Sequence, residues 1–240
     1  MKRALIFLII ALFMALIVQP SLSTLSDEDI TVPQDDSTAG LITNDNIDMS
    51  KCESQAIICL DAANGGLDYG YYQDGMLPEK DVNLQIVQAI GEYLTKADYK
   101  VVYTRTGDED VNPETGVLSF DERINYAKGQ NALYMISIQC NEDSDILRKG
   151  FSLFTHPNDL MIALGNSIYE NLSAINYSQF EGLDSDHYSN FPILNNEKIP
   201  TIMIDIGYLT NEDDYNNLTN PEFQKKIGKA IAMAILKEIN

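Results

Sequence analysis

The chain has 240 residues, 45% of them hydrophobic, and 36 acids against 16 Lys and Arg give a formal charge of −20. That length supports one sizeable core. The charge excludes nucleic acid and anionic lipid as partners, because both repel such a surface; its plain effect is to keep a domain in solution.

The first segment reads as an export signal. A basic "MKR" precedes one apolar block from Ala4 to Val18, Gln19 and Pro20 end it, and small residues follow at Ser21 and Ser23. This is the layout of a secretory signal with cleavage after Ser23. The block is short for a membrane span, which needs about 20 apolar residues. A cleaved signal and a retained anchor over residues 1–23 both remain open, and either places the rest outside the cytoplasm. Residues 24–54 follow as an acidic linker: the stretch 24–50 holds seven acids and no Lys or Arg, and has no sustained hydrophobic period. The domain proper then runs over 55–240.

Strand-like and helix-like segments alternate from there. "AIICLD" (56–61) is a short buried-strand run that breaks at Gly65 and Gly66. Pro78 suits a first helical turn. In "DVNLQIVQAIGEYLTKA" after it, Val82, Ile86, Ile90, Tyr93 and Ala97 recur at helical spacing. "KVVYT" (100–104) is a second strand. "SFDERINYAKG" begins with Ser119 and Glu122 in a capping-box arrangement and stops at Gly129. "ALYMISIQ" (132–139) and "GFSLFTH" (150–156) are the third and fourth strands, and "PNDLMIALGNSIYENLSA" is helical. "PTIMIDIGYL" (200–209) is a late central strand. Asn220 and Pro221 make an N-cap and first position for the final helix.

Such alternation predicts an α/β fold: a single three-layer domain, with a mostly parallel sheet and helices on both faces. Functional groups then belong just past the carboxyl ends of the strands. Four polar positions fall there or at an adjoining helix start: Asn64, Glu79, Gln139 and Asp205. The three cysteines, Cys52, Cys59 and Cys140, match no zinc-ribbon spacing. Cys59 and Cys140 read as small core residues on strands; one disulfide outside the cell, with a thiol left over, is the alternative.

The blocks D-x-x-x-G-G, "EKDVNL", "VVYTR", "ERINYA", "SIQCN" and "PTIMIDIGYLTNEDD", in this order, resemble the zinc-dependent N-acetylmuramoyl-L-alanine amidases, over about Ala56 to Asn240. The resemblance implies two histidine ligands, a glutamate ligand and a catalytic glutamate. There three protein ligands and a water hold Zn²⁺, and a carboxylate moves the water's proton to the leaving amine. This sequence departs at three of the four. Asn64 and Gln139 stand at the histidine positions, Asp205 at the catalytic glutamate position, and only Glu79 matches. Carboxamides are rare zinc ligands, and aspartate is one methylene short. The expectation is therefore a lost zinc site, with Asn64 and Gln139 non-binding, Asp205 inactive and no cofactor. Two other arrangements compete with it: an oxygen site for Ca²⁺ or Mg²⁺ built from all four, and relocation of zinc to His156 or His187.

Arg105 and Arg123 match arginines common in the family and read either as groove and structural residues or as solvated ion pairs. Asp61 is expected to bind backbone amides of the first turn. Tyr69, Tyr71 and Tyr72 either line a glycan or peptide groove or pack beneath their loop. The leading expectation is a degenerate amidase homologue that binds peptidoglycan or muropeptide, or an envelope protein, through the former active-site groove. A working amidase with an unusual metal set and a pure scaffold are the alternatives.

Overall fold

The structure is a computed structural model that describes residues 56–108 and 111–239. The predicted signal or anchor, the acidic linker and Cys52 lie outside the described residues. Six strands form one sheet: β1 (Ile57–Ala62), β2 (Lys100–Tyr103), β3 (Tyr134–Asn141), β4 (Phe151–Thr155), β5 (Phe180–Asp184) and β6 (Thr201–Tyr208). Their order is β2-β1-β3-β6-β4-β5. Neighbours run parallel except β4, which is antiparallel to β6. Five helices accompany the sheet: α1 (Glu79–Lys96), α2 (Phe120–Gly129), α3 (Asp159–Ala174), α4 (Glu212–Leu218) and α5 (Pro221–Glu238). Among the described residues no helix is long and apolar enough to cross a membrane.

Period-2 alternation sorts each strand's side chains between two faces. Ile58, Leu60, Ile136, Ile138, Ile202 and Ile204 point to one face and meet the apolar stripes of α1, α3 and α5. On α1 that stripe is Val82, Ile86, Ile90 and Leu94, all fully buried. Burying each contributes roughly 1.5–3 kcal/mol. Cys59, Met135 and Met203 point the other way and meet Ile124 and Ala127 of α2, with Ile193, Leu194 and Ile199 from the loop before β6. The first face carries three helices, the second one ten-residue helix and a loop. The site lies at the carboxyl ends of β1 and β3, where Glu79 of α1 from the first side and Phe120 and Arg123 of α2 from the second line one cleft.

α2 starts as its sequence requires. The Ser119 hydroxyl accepts from the Glu122 amide, while the Glu122 carboxylate accepts from the Ser119 amide at 2.8 Å. Ser119→Ala should cost about 1 kcal/mol, measured as a lowered urea midpoint. Asn220 caps α5 with Pro221 as its first residue, also as expected. Pro78 is the N-cap of α1, one place before the helix. Two strand features differ from the sequence reading. β3 runs on through Cys140 and Asn141, since Asn141 still pairs with Tyr208. β5, "FEGLD", was not expected as a strand; it pairs with β4 at the sheet edge, where a polar pattern suffices.

Candidate functional site

The turn after β1 is built by backbone conformation. Asn64 sits at φ 61, a left-handed position that asparagine and histidine tolerate better than most side chains. Gly65 follows at φ 127, where a Cβ would meet Arg105 Cδ at 2.8 Å. Beneath the turn Arg105 donates to the carbonyls of Ala62, Ala63 and Lys80. Arg123 donates to those of Ala62 and Asn64 and pairs with Asp61 at 2.8 Å. Both arginines are nearly fully buried, at 1% and 3% exposure. Neither is a solvated ion pair, and Arg105 does not line the groove: it lies under the turn. Asp61 differs from expectation too. Its oxygens accept from the Thr104 and Ser137 hydroxyls and from Arg123, and the arginines hold the backbone instead.

The four predicted positions converge. Gln139 and Asp205 are register partners on β3 and β6, and the Gln139 amide donates to Asp205 Oδ1. The Asn141 amide reaches Asp205 Oδ2 at 3.4 Å. Glu79, in the first turn of α1, accepts from the amides of Tyr71 at 2.9 Å and Cys140 at 3.0 Å. Asn83 joins the two sides. It is fully buried, one helical turn after Glu79, and donates to Asn64 Oδ1 at 3.3 Å and Glu79 Oε1 at 3.4 Å. Its i, i+4 spacing from Glu79 was the signal available in the sequence. Asn64 in turn donates to Asp68 at 3.0 Å.

Asn64, Glu79 and Gln139 line a cleft of about 600 Å³ together with Tyr71, Phe120 and Glu142, while Asp205 and Asn83 lie buried behind that lining. Of the three tyrosines only Tyr71 lines it. Tyr69 and Tyr72 stand half exposed with their rings 5.9 Å apart, and Lys80 lies over Tyr69 at 4.1 Å.

Burial dominates the electrostatics. It pushes Asp205 up to about 7, against the Gln139 bond and with help from the Glu79 and Glu181 charges. It also raises Glu79, although the bonds from Tyr71, Cys140 and Asn83 oppose it. The Cys140 thiol is raised well above its ordinary value by burial and by Glu79, and its Sγ lies 3.3 Å from Asn83 Oδ1. It is no nucleophile.

The donor set does not fit tetrahedral zinc. It comprises two carboxamides and two carboxylates, and all four are already engaged: Asn64 with Asn83 and Asp68, Glu79 with backbone amides, and Gln139 with Asp205. Among the described residues no group of three or more His, Cys, Asp or Glu is placed to hold a metal ion. His156 follows Thr155, which pairs with Ile202 towards the amino end of β6, away from the cleft. Its ring meets Tyr188 at 5.1 Å. His187 is exposed and bonded to Asp184 at 2.8 Å.

The sequence profile of the N-acetylmuramoyl-L-alanine amidases (Amidase_3) matches residues 58–237. The chain belongs to this family. The germination-specific N-acetylmuramoyl-L-alanine amidase of Bacillus subtilis (strain 168) is 26% identical over 200 residues, 77% of this chain and 80% of that protein. The amidase AmiC2 of Nostoc punctiforme superposes with a TM-score of 0.65 at 26% identity, covering 78% of this chain and 98% of that one. The CwlD amidase of Clostridioides difficile, solved in complex with the GerS lipoprotein, gives a TM-score of 0.59 at 26% identity, over 77% and 98% of the two chains. The cleft thus sits in an amidase fold, at the carboxyl edge that open α/β sheets use for ligands.

Proposed function

We propose that this amidase-family member is a degenerate homologue that binds peptidoglycan fragments outside the cytoplasm through the cleft lined by Asn64, Glu79 and Gln139, with Asp205 bonded behind Gln139. One observation carries the reading: the Gln139 amide and the Asp205 carboxylate, at two positions the family gives to chemistry, are bonded to each other. An amide in that place donates a hydrogen bond and offers no imidazole nitrogen. Without the metal no water is activated, and Asp205 has no proton to shuttle. What remains is a polar floor of amides, carboxyls and the Ser137 hydroxyl, which suits the amide and hydroxyl groups of a muropeptide. An envelope protein is the second reading, favoured by the lipoprotein complex of the Clostridioides difficile relative.

Purified protein mixed with sacculi should sediment with them, release no peptide, and carry no stoichiometric zinc. One zinc per chain together with peptide release would overturn the degenerate reading. Failure to sediment would favour the protein partner. Asn64→His, Gln139→His and Asp205→Glu combined should restore zinc binding and hydrolysis, since Asn64 already has a backbone conformation open to histidine.

A further inference from the structure

A second cleft, of about 700 Å³, adjoins the first and shares Tyr71 and Glu142 with it. Tyr71, Met76, Ile146, Leu209 and Tyr215 give it an apolar wall, beside the uncharged polar Gln73, Ser144, Thr210 and Asn211. Tyr215 also fixes the loop before α1, since its hydroxyl accepts from the Leu77 amide at 2.8 Å. Ile146 lies in the loop between β3 and β4 and is 66% exposed, although it faces this groove. The loop is held in place: the Asn211 side chain donates to the Ile146 carbonyl at 2.8 Å, and Arg148 bridges Asp143 and Glu181. The groove is therefore braced from both sides.

Its charge has one sign. Glu142, Asp143 and Glu212 line it, and no Lys or Arg does. Asp143 is neutralised by Arg148 at 2.9 Å. Glu142 and Glu212 are exposed, and among the described residues neither has a side-chain ion pair. Apolar walls with two uncompensated carboxylates at the mouth match an alkyl chain ending in an ammonium group. The walls take the methylenes, and the rim takes the charge.

We infer that this second cleft binds the primary-amine side chain of a short peptide whose other end occupies the first cleft. The inference rests on the proposed function and names the class of stem peptide that site accepts. Tyr71 stands at the junction, lining both clefts, so one extended ligand passes from one to the other across its ring. A free carboxylate beside the amine would be disfavoured by Glu142 and Glu212, so the preferred ligand is lysine-like.

The test uses the full chain and two synthetic tetrapeptide amides, one with a single lysine and one with that lysine Nε-acetylated, titrated by calorimetry at low salt. The lysine peptide should bind about fivefold more tightly, the scale expected of two exposed ion pairs. Glu142→Gln with Glu212→Gln should abolish the preference. Glu197→Gln, a surface acid that lines neither cleft, should leave it intact. Equal affinity for the two peptides, or equal loss of preference in Glu197→Gln, would overturn the inference, the latter by reducing it to bulk charge. Sedimentation with sacculi run in parallel separates the two proposals. Amine preference without sacculus binding refutes the proposed function alone, and sacculus binding without amine preference refutes the second cleft alone.

Discussion

Asp205→Asn should stabilise the protein at pH 8, by roughly 4 kcal/mol, and flatten its stability between pH 4 and pH 8. Asp205 is 6% exposed, and burial raises its carboxyl from an ordinary 3.8 to about 7. Below pH 4 the group is protonated in both folded and unfolded chains and costs nothing. Between pH 4 and 7 the unfolded chain ionises while the folded one holds its proton, so stability falls as pH rises. Above pH 7 both are ionised, and the full penalty of a shift of about three units applies, roughly 4 kcal/mol. Asparagine has nearly the same shape, carries no charge, and can still accept from Gln139. The variant and the parent should therefore match near pH 4, then diverge, with a gain in Tm of roughly 10 °C at pH 8. Thermal unfolding of both proteins across that range is the measurement. A parent that keeps its stability from pH 4 to pH 8 relative to the variant would show that Asp205 ionises as freely as an exposed acid.

The second large effect is expected at Arg123. Arg123→Leu removes the ion pair to Asp61 and the donors to the Ala62 and Asn64 carbonyls in one step. Asp61 is 1% exposed and would keep only the Thr104 and Ser137 hydroxyls. Breaking a buried pair by removing one partner costs about 3–5 kcal/mol, because the remaining charge is stranded. Urea unfolding should show that loss with little change in m-value. Adding Asp61→Asn should recover part of it, since the stranded charge goes, and the coupling from the double-mutant cycle should exceed about 1 kcal/mol. An exposed pair would lose about 1 kcal/mol or less.

Much of this was readable in the residues. The strands that carry the site are apolar runs bounded by clear breaks, and their carboxyl ends brought Asn64, Gln139 and Asp205 to one edge. Glu79 joined them because the first turn of α1 packs over the end of β3. Other features left no local mark. Strand direction is not written in hydrophobic pattern, so the antiparallel β4 was not anticipated. β5 has a Gly, a Glu and an Asp in five residues and lacks an apolar run. Arg105 looked like a groove residue because most arginines are exposed, and only the carbonyls gathered above it show otherwise. Asn83 was hidden among ordinary helix positions, although its spacing from Glu79 pointed inward.

The turn that holds Asn64 is fastened from below, by two guanidinium groups that make four hydrogen bonds to its main-chain oxygens. Its shape is therefore independent of anything bound above it. On the proposed metal-free reading, chelators should leave the melting curve where it is, and side chains that line the cleft can change without removing the bonds that hold the turn. In such an architecture catalysis and foldedness are inherited separately, and a lineage can shed the first while keeping the second.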